Sequence, residues 1–287
     1  MRCSHNLRRL AAGLLLTFTS NFVSAQSNSG LNPVDQAQKQ VIAYLADLAD
    51  VFCKESVVQE KLADNGHVQA SERSQFDYFI MMQGDGDDFQ LTETRTETST
   101  APHKPLPMLV TNGFSTLLLI FHPYYRDAFQ FEVGTQETVN GRQLLPVRFE
   151  HIPGRRSPAA LALRGREYAL DLHGTAWLDQ KSGQVTKMDA SLLNNMSDLG
   201  LRSLTIHVDY EQTPRGKTFA SLALPALAVV DVQTNRQHWR NTHSFKDYKT
   251  FSTSAEQDPN VKVHPTESPA GQGDSTTENT NSPKEKP

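Results

Sequence analysis

Apolar residues recur near the start of the chain at helical spacing, with Val34, Val41, Leu45, Leu48 and Phe52 three, four or seven positions apart. Asn32 supplies an N-cap and Pro33 suits the first helical position, so an amphipathic helix is expected there. Beyond Val57 the period changes to two. Phe76, Tyr78 and Ile80 alternate with Asp77 and Phe79, the Gly84–Asp88 run turns the chain, and Phe89 to Thr98 returns as the second arm of a hairpin. Pro102, Pro105 and Pro107 mark a loop. Asn112 to Phe121 reads as a short helix with Phe114, Leu117, Leu118 and Phe121 on one stripe, ending before His122 because Pro123 follows.

The alternation then resumes. Phe129, Phe131 and Val133 form one strand, Asn140-Gly141 signals a tight hairpin, and Leu145, Val147 and Phe149 form the return. Leu204, Ile206, Val208 and Tyr210 repeat the pattern. Further strands are expected at Tyr168 to Asp179, Val185 to Leu192, Lys217 to Leu224, Ala228 to Gln233 and Trp239 to Phe251. Strands with one apolar and one polar face, joined by short turns, make an antiparallel sheet with one wet side. The expected fold class is α+β: a curved antiparallel sheet of about ten strands, curling into an incomplete barrel, with helices covering its concave apolar face.

Composition refines the limits of this domain. The first 25 residues read as an export signal, with Arg2, Arg8 and Arg9 before an apolar run from Leu10 to Phe18 and a small-residue end at Val23-Ser24-Ala25. Retention of the signal as an anchor is the alternative. Cys3 precedes the apolar run, so it does not stand where a lipid-modified cysteine would. Ser254 to Pro287 is polar, with Val261 and Val263 as its sizeable apolar residues, and is expected to be a disordered tail. A domain from Gln26 to Thr253 remains, long enough for a sizeable core. Without Arg2, Arg8 and Arg9 the chain carries 25 basic against 32 acidic residues, a balance of −7 that argues against general nucleic-acid binding. Cys53 is then the single thiol, expected as a small buried hydrophobe on the first helix.

Catalytic and metal patterns do not assemble. Asp85, Asp87 and Asp88 fail the calcium-loop spacing, since Thr96 stands at the twelfth position. Ser115 has no nucleophile-elbow frame and no glycine-rich phosphate loop occurs. His238 and His243 are five apart on a strand, which places them on opposite faces as surface histidines. An enzyme would need polar side chains converging inside a cavity, such as His151 or His207 meeting a carboxylate. No cofactor and no metal are expected.

The helix after the signal, the Phe76–Thr98 hairpin, the Phe114–Phe121 helix with His122-Pro123, and the strand Gly174-Thr175-Ala176-Trp177-Leu178-Asp179 with its Lys181-Ser182-Gly183 turn together resemble the periplasmic lipoprotein-carrier superfamily. LolA, LolB and the sensor domain of some regulators of envelope-stress sigma factors share that fold. The resemblance implies an exported, periplasmic, monomeric protein whose half-barrel and helix lid enclose an apolar cavity for a lipid or an acylated protein, with a membrane-bound donor or acceptor as further partner. An envelope sensor or protein-interaction module on the same fold, with no carried lipid, is the alternative. The family's functional arginine has no matching motif here, so no single residue is carried over.

A cavity of this kind would be lined by Phe129, Phe131, Val147, Phe149, Ile206 and Val208 on the strands, and by Phe114, Leu117 and Phe121 on the covering helix. The plainer possibility is that these side chains fill a dry core. Arg155, Arg156, Arg164 and Arg166 lie in a Pro/Gly-containing segment and could attract a lipid phosphate or an acidic partner, or simply be a solvated loop.

Overall fold

The structure, a computed structural model, describes residues 32–48, 50–85, 88–98, 111–163, 165–212 and 223–250. The signal, the proline-marked loop, the polar tail, Lys217 to Leu222 and Arg164 lie outside them.

Helix α1 (Pro33–Asp47) starts where its cap predicts, the Asn32 side chain accepting from the Val34 N–H at 3.0 Å. It buries Val34, Ala37, Val41, Tyr44 and Leu45. It stops short of the expected Phe52, which lies instead on strand β1 (Val51–Leu62), and Cys53 is buried on that strand and not on a helix. Inward positions of β1 alternate Val51, Cys53, Glu55, Val57 and Gln59, all buried. Two of the five are polar, so a period of apolar residues could not reveal the strand.

Strands β2 (Val68–Asp85) and β3 (Asp88–Glu97) complete the first meander. A 3₁₀ turn (Thr116–Phe121) and the single-turn helix α2 (Pro123–Arg126) follow. The first helical turn does end at His122, as Pro123 requires, yet the chain winds again at once because His122 Nδ1 caps the Tyr124 N–H. After them come β4 (Phe129–Val133), β5 (Glu137–Val139) and β6 (Arg142–His151). Asn140 and Gly141, both at positive φ (51° and 76°), make the predicted two-residue hairpin between β5 and β6.

β7 (Ala160–Leu163) and β8 (Arg166–Ala169) form a small separate ribbon. β9 (Leu172–Asp179), β10 (Val185–Leu192), β11 (Leu201–Gln212), β12 (Ala223–Thr234) and β13 (His238–Thr250) run as a meander. The expected strand Tyr168 to Asp179 is thus two, and the described end of the expected strand Lys217 to Leu224 runs on through Pro225 into Ala228 to Gln233 as one β12.

All pairings in the large sheet are antiparallel, in the order β3-β2-β1-β13-β12-β11-β10-β9-β6-β4, with β5 on β6. The eleven-stranded sheet does not close: β3 and β4 are its two free edges. They are consecutive in the chain, so the connection from β3 to β4 spans from one edge to the other. Its described part, Thr111 to Ala128, lies with α1 over the concave face, and its residues Phe114, Ser115 and Leu117 to His122, all buried, close the core. The curved, incomplete barrel with helices on its concave side is therefore the observed architecture.

Candidate functional site

The concave face is chemically divided. On β12 through β4 its inward residues are apolar, including Val230, Val208, Ala190, Ala176, Val147 and Phe129, with His151 at one end as the polar exception. On β1, β2, β3 and β13 they include the buried polar residues Glu55, Gln59, Ser74, Glu93, Asn241 and His243. Arg95 joins them with its side chain only 8 % exposed.

The connection between the two edges spans both halves. At its polar end Glu93 accepts from the N–H and hydroxyl of Thr116, each at 2.7 Å, and from the Tyr78 hydroxyl. The Glu93 backbone carbonyl accepts from Asn112 at 2.9 Å, and Arg95 donates to the Thr111 carbonyl. His243 Nδ1 meets Glu55 at 2.7 Å, its Nε2 meets the Thr111 hydroxyl at 2.7 Å, and Arg95 lies 3.2 Å from Glu55. Tyr210 donates to the Phe114 carbonyl at 2.6 Å. Burial pushes the Tyr78 and Tyr210 hydroxyls well above the ordinary tyrosine range, with the Glu93 carboxylate adding to it. Burial also holds the His243 imidazole below its usual range, against the pull of Glu55. His243 is consequently not the surface histidine expected; β13 turns Trp239, Asn241, His243 and Phe245 inward, and Glu55 and Thr111 supply the partners that make burial tolerable. His238, on the other face as predicted, meets Asp231 at 2.6 Å.

At its apolar end the connection delivers the expected covering residues. Phe114, Leu117 and Phe121 are buried, as are Phe129, Val147, Phe149 and Val208 on the strands, while Phe131 and Ile206 are half-buried against the same core. Phe121 stacks on Phe131 with centroids 5.4 Å apart, and Phe129 packs on Phe131, Phe149 and His151. The structure thus brings the named apolar residues together.

Beside them, between the start of α1, α2 and the edge strand β4, opens a cleft of about 630 Å³ lined by Val34, Pro123, Phe129, Phe131 and Val133, with Asn32, Gln38, Arg126 and Asp127 on its polar side. Its volume lies in the range of small-molecule sites. Arg126 is held by Asp35 at 2.7 Å and Gln38 at 2.7 Å.

The arginine segment does not form one patch among the described residues. Arg155 and Arg166 are exposed, and Arg156 lies over the Tyr124 ring at 4.2 Å and reaches Asp127 at 3.4 Å, which brings it to α2 beside the cleft. Arg126, Arg95 and Glu55 were missed from sequence. A run of alternating charge such as Glu93-Thr94-Arg95 reads as an exposed edge, and nothing local shows that it is covered from residues beyond it.

The two histidines that an enzyme would require to meet a carboxylate, His151 and His207, both do. His151 Nδ1 lies 2.7 Å from Asp171, but its Nε2 is taken by the Arg156 carbonyl at 3.1 Å. His207, half-exposed on the outer face, lies between Asp189 at 2.5 Å and Asp209 at 3.2 Å. Neither lines the cleft. No group of three or more His, Cys, Asp and Glu placed to hold a metal occurs among the described residues, nor does a helix long and apolar enough to cross a membrane.

No protein-family model and no curated protein matches the chain by sequence. Solved structures do match by shape. A LolA superfamily protein from Nitrosomonas europaea aligns at 10% identity and a TM-score of 0.39, covering 76% of this chain and 94% of that one. An outer membrane lipoprotein-sorting protein domain from Vibrio parahaemolyticus aligns at 10% identity and 0.42, covering 80% and 97%. A DUF1329 family protein from Desulfovibrio piger aligns at 9% and 0.40, covering 76% and 93%. The chain is similar to these proteins in shape, at 9–10% identity.

Proposed function

We propose that this is an exported, periplasmic binding protein that holds a lipid or an acylated protein by reversible burial of its acyl chain, without covalent chemistry, as a carrier or chaperone. The observation that supports it is the cleft at the open edge, where Phe129 and Phe131 of β4 and Val34 of α1 present an apolar wall continuous with the buried aromatic cluster. Each methylene of an acyl chain buried there contributes about 0.8 kcal/mol. Arg126 in the lining and Arg156, which lies over Tyr124 of α2, place cations where a lipid phosphate would emerge. Residues 1–25 as signal and 254–287 as a tail outside the folded domain belong to the same proposal.

The test is native mass spectrometry of the mature protein purified from a bacterial periplasm, followed by lipid extraction, with the Phe131→Asp variant in parallel. A stoichiometric acylated species that Phe131→Asp loses while remaining folded supports the reading. An apo mass unchanged after incubation with lipid and with acylated peptide refutes it in favour of an interaction module.

A further inference from the structure

A second opening lies within the sheet itself. β12 and β13 pair from Gln233↔His238 to Leu227↔Ser244 and no further. Beyond that level β12 stays on β11 through Tyr210↔Pro225, Glu211↔Leu224 and Gln212↔Ala223, while β13 stays on β1 through Glu55↔Phe245 to Val51↔Thr250. The two strands part for physical reasons at that same level. Pro225 has no N–H to offer a ladder. The register leaves Ala226 as an extra residue on β12, and sets Asp247 and Tyr248 both against Cys53 on β13, with Asp247 at a φ of +58°. Bulges on both sides of one gap bend the strands apart.

The gap holds a cleft of about 610 Å³. Its apolar wall is Phe52, Leu224, Pro225, Phe245 and Tyr248. Leu224 and Phe245 are buried core residues, and Phe245 packs on Tyr78 and Phe114, so the wall continues into the concave interior. The Tyr248 hydroxyl donates to the Pro225 carbonyl at 2.6 Å across the gap. Three lysines border it: Lys54, Lys246 and Lys249. Lys54 and Lys246 are direct cross-strand partners, an arrangement that costs stability because like charges stand opposite each other. Asp77 answers Lys54 at 2.5 Å. Lys246 and Lys249 form no ion pair among the described residues, although Glu211 and Asp247 also line the cleft. An apolar slot leading to the core, with Lys246 and Lys249 free of ion pairs among the described residues at its mouth, suits an occupant with an apolar chain and an anionic head.

We infer that the split between β12 and β13 binds a single-chain lipid with an anionic head, its acyl chain against Leu224, Pro225 and Phe245 and its head on Lys246 and Lys249. The inference rests on the lipid-binding reading above but assigns a different place, since β11, β10, β9 and β6 separate this slot from the cleft at β4.

The experiment is a fluorescence titration of the mature protein with a fluorescent long-chain fatty acid and with its uncharged methyl ester. The acid is expected to bind at least about tenfold more tightly than the ester, and the exposed double substitution Lys246→Glu with Lys249→Glu is expected to erase that preference. Ala226→Trp, which fills the slot at a half-buried position, is expected to weaken both probes in a protein that melts normally. Wild-type preference for neither probe, or full binding by a folded Ala226→Trp variant, overturns the assignment. If Phe131→Asp alone removes binding, the β4 cleft holds the lipid and only this inference falls. If wild type binds neither probe and carries no acyl species, both fall.

Discussion

Gly174 on β9 is the position where one added methyl group should cost most. It pairs with Ala190 on β10 and with Phe149 on β6, in the inward phase of Leu172, Ala176 and Leu178. A Cβ built there would stand 1.9 Å from the Asp189 carbonyl oxygen, 2.8 Å from the tip of the Phe149 ring and 2.9 Å from the Ala190 Cα. Two of these three neighbours are backbone in a central strand and cannot swing aside as a side chain can. Ordinary contact therefore requires β10 to shift while it is bonded to β11 on its other side. Overpacking costs about 1–3 kcal/mol where side chains can yield, so Gly174→Ala belongs at or above the upper end, about 3 kcal/mol. For a domain of this size each 1 kcal/mol moves Tm by about 2–4 °C, giving a fall of about 6–12 °C. Gly66→Ala is the control: its φ is +82° but the space around it is open, so it should lose only the cost of a left-handed backbone, about 1–2 kcal/mol. Thermal unfolding followed by Trp177 and Trp239 fluorescence measures both. A Gly174→Ala protein that melts with or above Gly66→Ala would refute the packing argument.

Three further outcomes are expected. Asp179 accepts from the Lys181 N–H, the Ser182 N–H and the Ser182 hydroxyl at 3.0–3.1 Å; although burial works against it, these bonds and Arg142 hold its carboxyl below the usual range. Asp179→Ala should cost about 1–2 kcal/mol in urea unfolding above about pH 4, a difference that shrinks as the wild-type carboxyl protonates on acidification. Arg95→Met leaves the Glu55 carboxylate buried beside His243 and should cost about 3–5 kcal/mol, with Glu55→Gln recovering part of it in the double variant; additive losses would show that the pair does not interact. Because burial lowers the His243 pKa, the unfolded chain binds the proton first, so stability is full above about pH 6.5 and declines as pH falls through the folded value. Tm measured between about pH 7 and 5 should decline, and His243→Gln should flatten that part of the slope.

Legibility followed burial of apolar residues. Where the inward positions of a strand are apolar, as on β4 and the Phe76–Ile80 stretch of β2, period two located the strand and its core face together; on β10 the range was legible, but a bulge between Val185 and Lys187 breaks the period. The Asn140-Gly141 turn was equally local, since both φ values follow from residue type. β1 was hidden because Glu55 and Gln59 occupy core positions, and the partners of Glu55, Arg95 and His243, are on β3 and β13. The boundary between α1 and β1 failed for the related reason that Phe52 continues the helical spacing by coincidence while facing away from the core. The slot between β12 and β13 was invisible because it depends on where four strands fall out of register together.

The buried polar half of the concave face has a consequence for any apolar cargo. Buried ion pairs are poor sources of net stability, and this cluster still leaves Gln59 Nε2 without a hydrogen-bond partner among the described residues. What Glu93, Arg95 and His243 do achieve is positional: Arg95 and His243 bond Thr111, the Glu93 carboxylate accepts from Thr116 and the Glu93 carbonyl accepts from Asn112, which ties the edge-to-edge connection to β3 and β13. Leu117 to Phe121 are thereby laid over the apolar half. An acyl chain entering from either opening would meet Phe121 or Phe114 of this connection, since Phe121 stacks on the cleft-lining Phe131 and Phe114 packs on the slot-lining Phe245. The same short segment therefore borders both candidate sites, and a change in the polar anchor, such as Arg95→Met, should alter binding at both even though Arg95 lines neither.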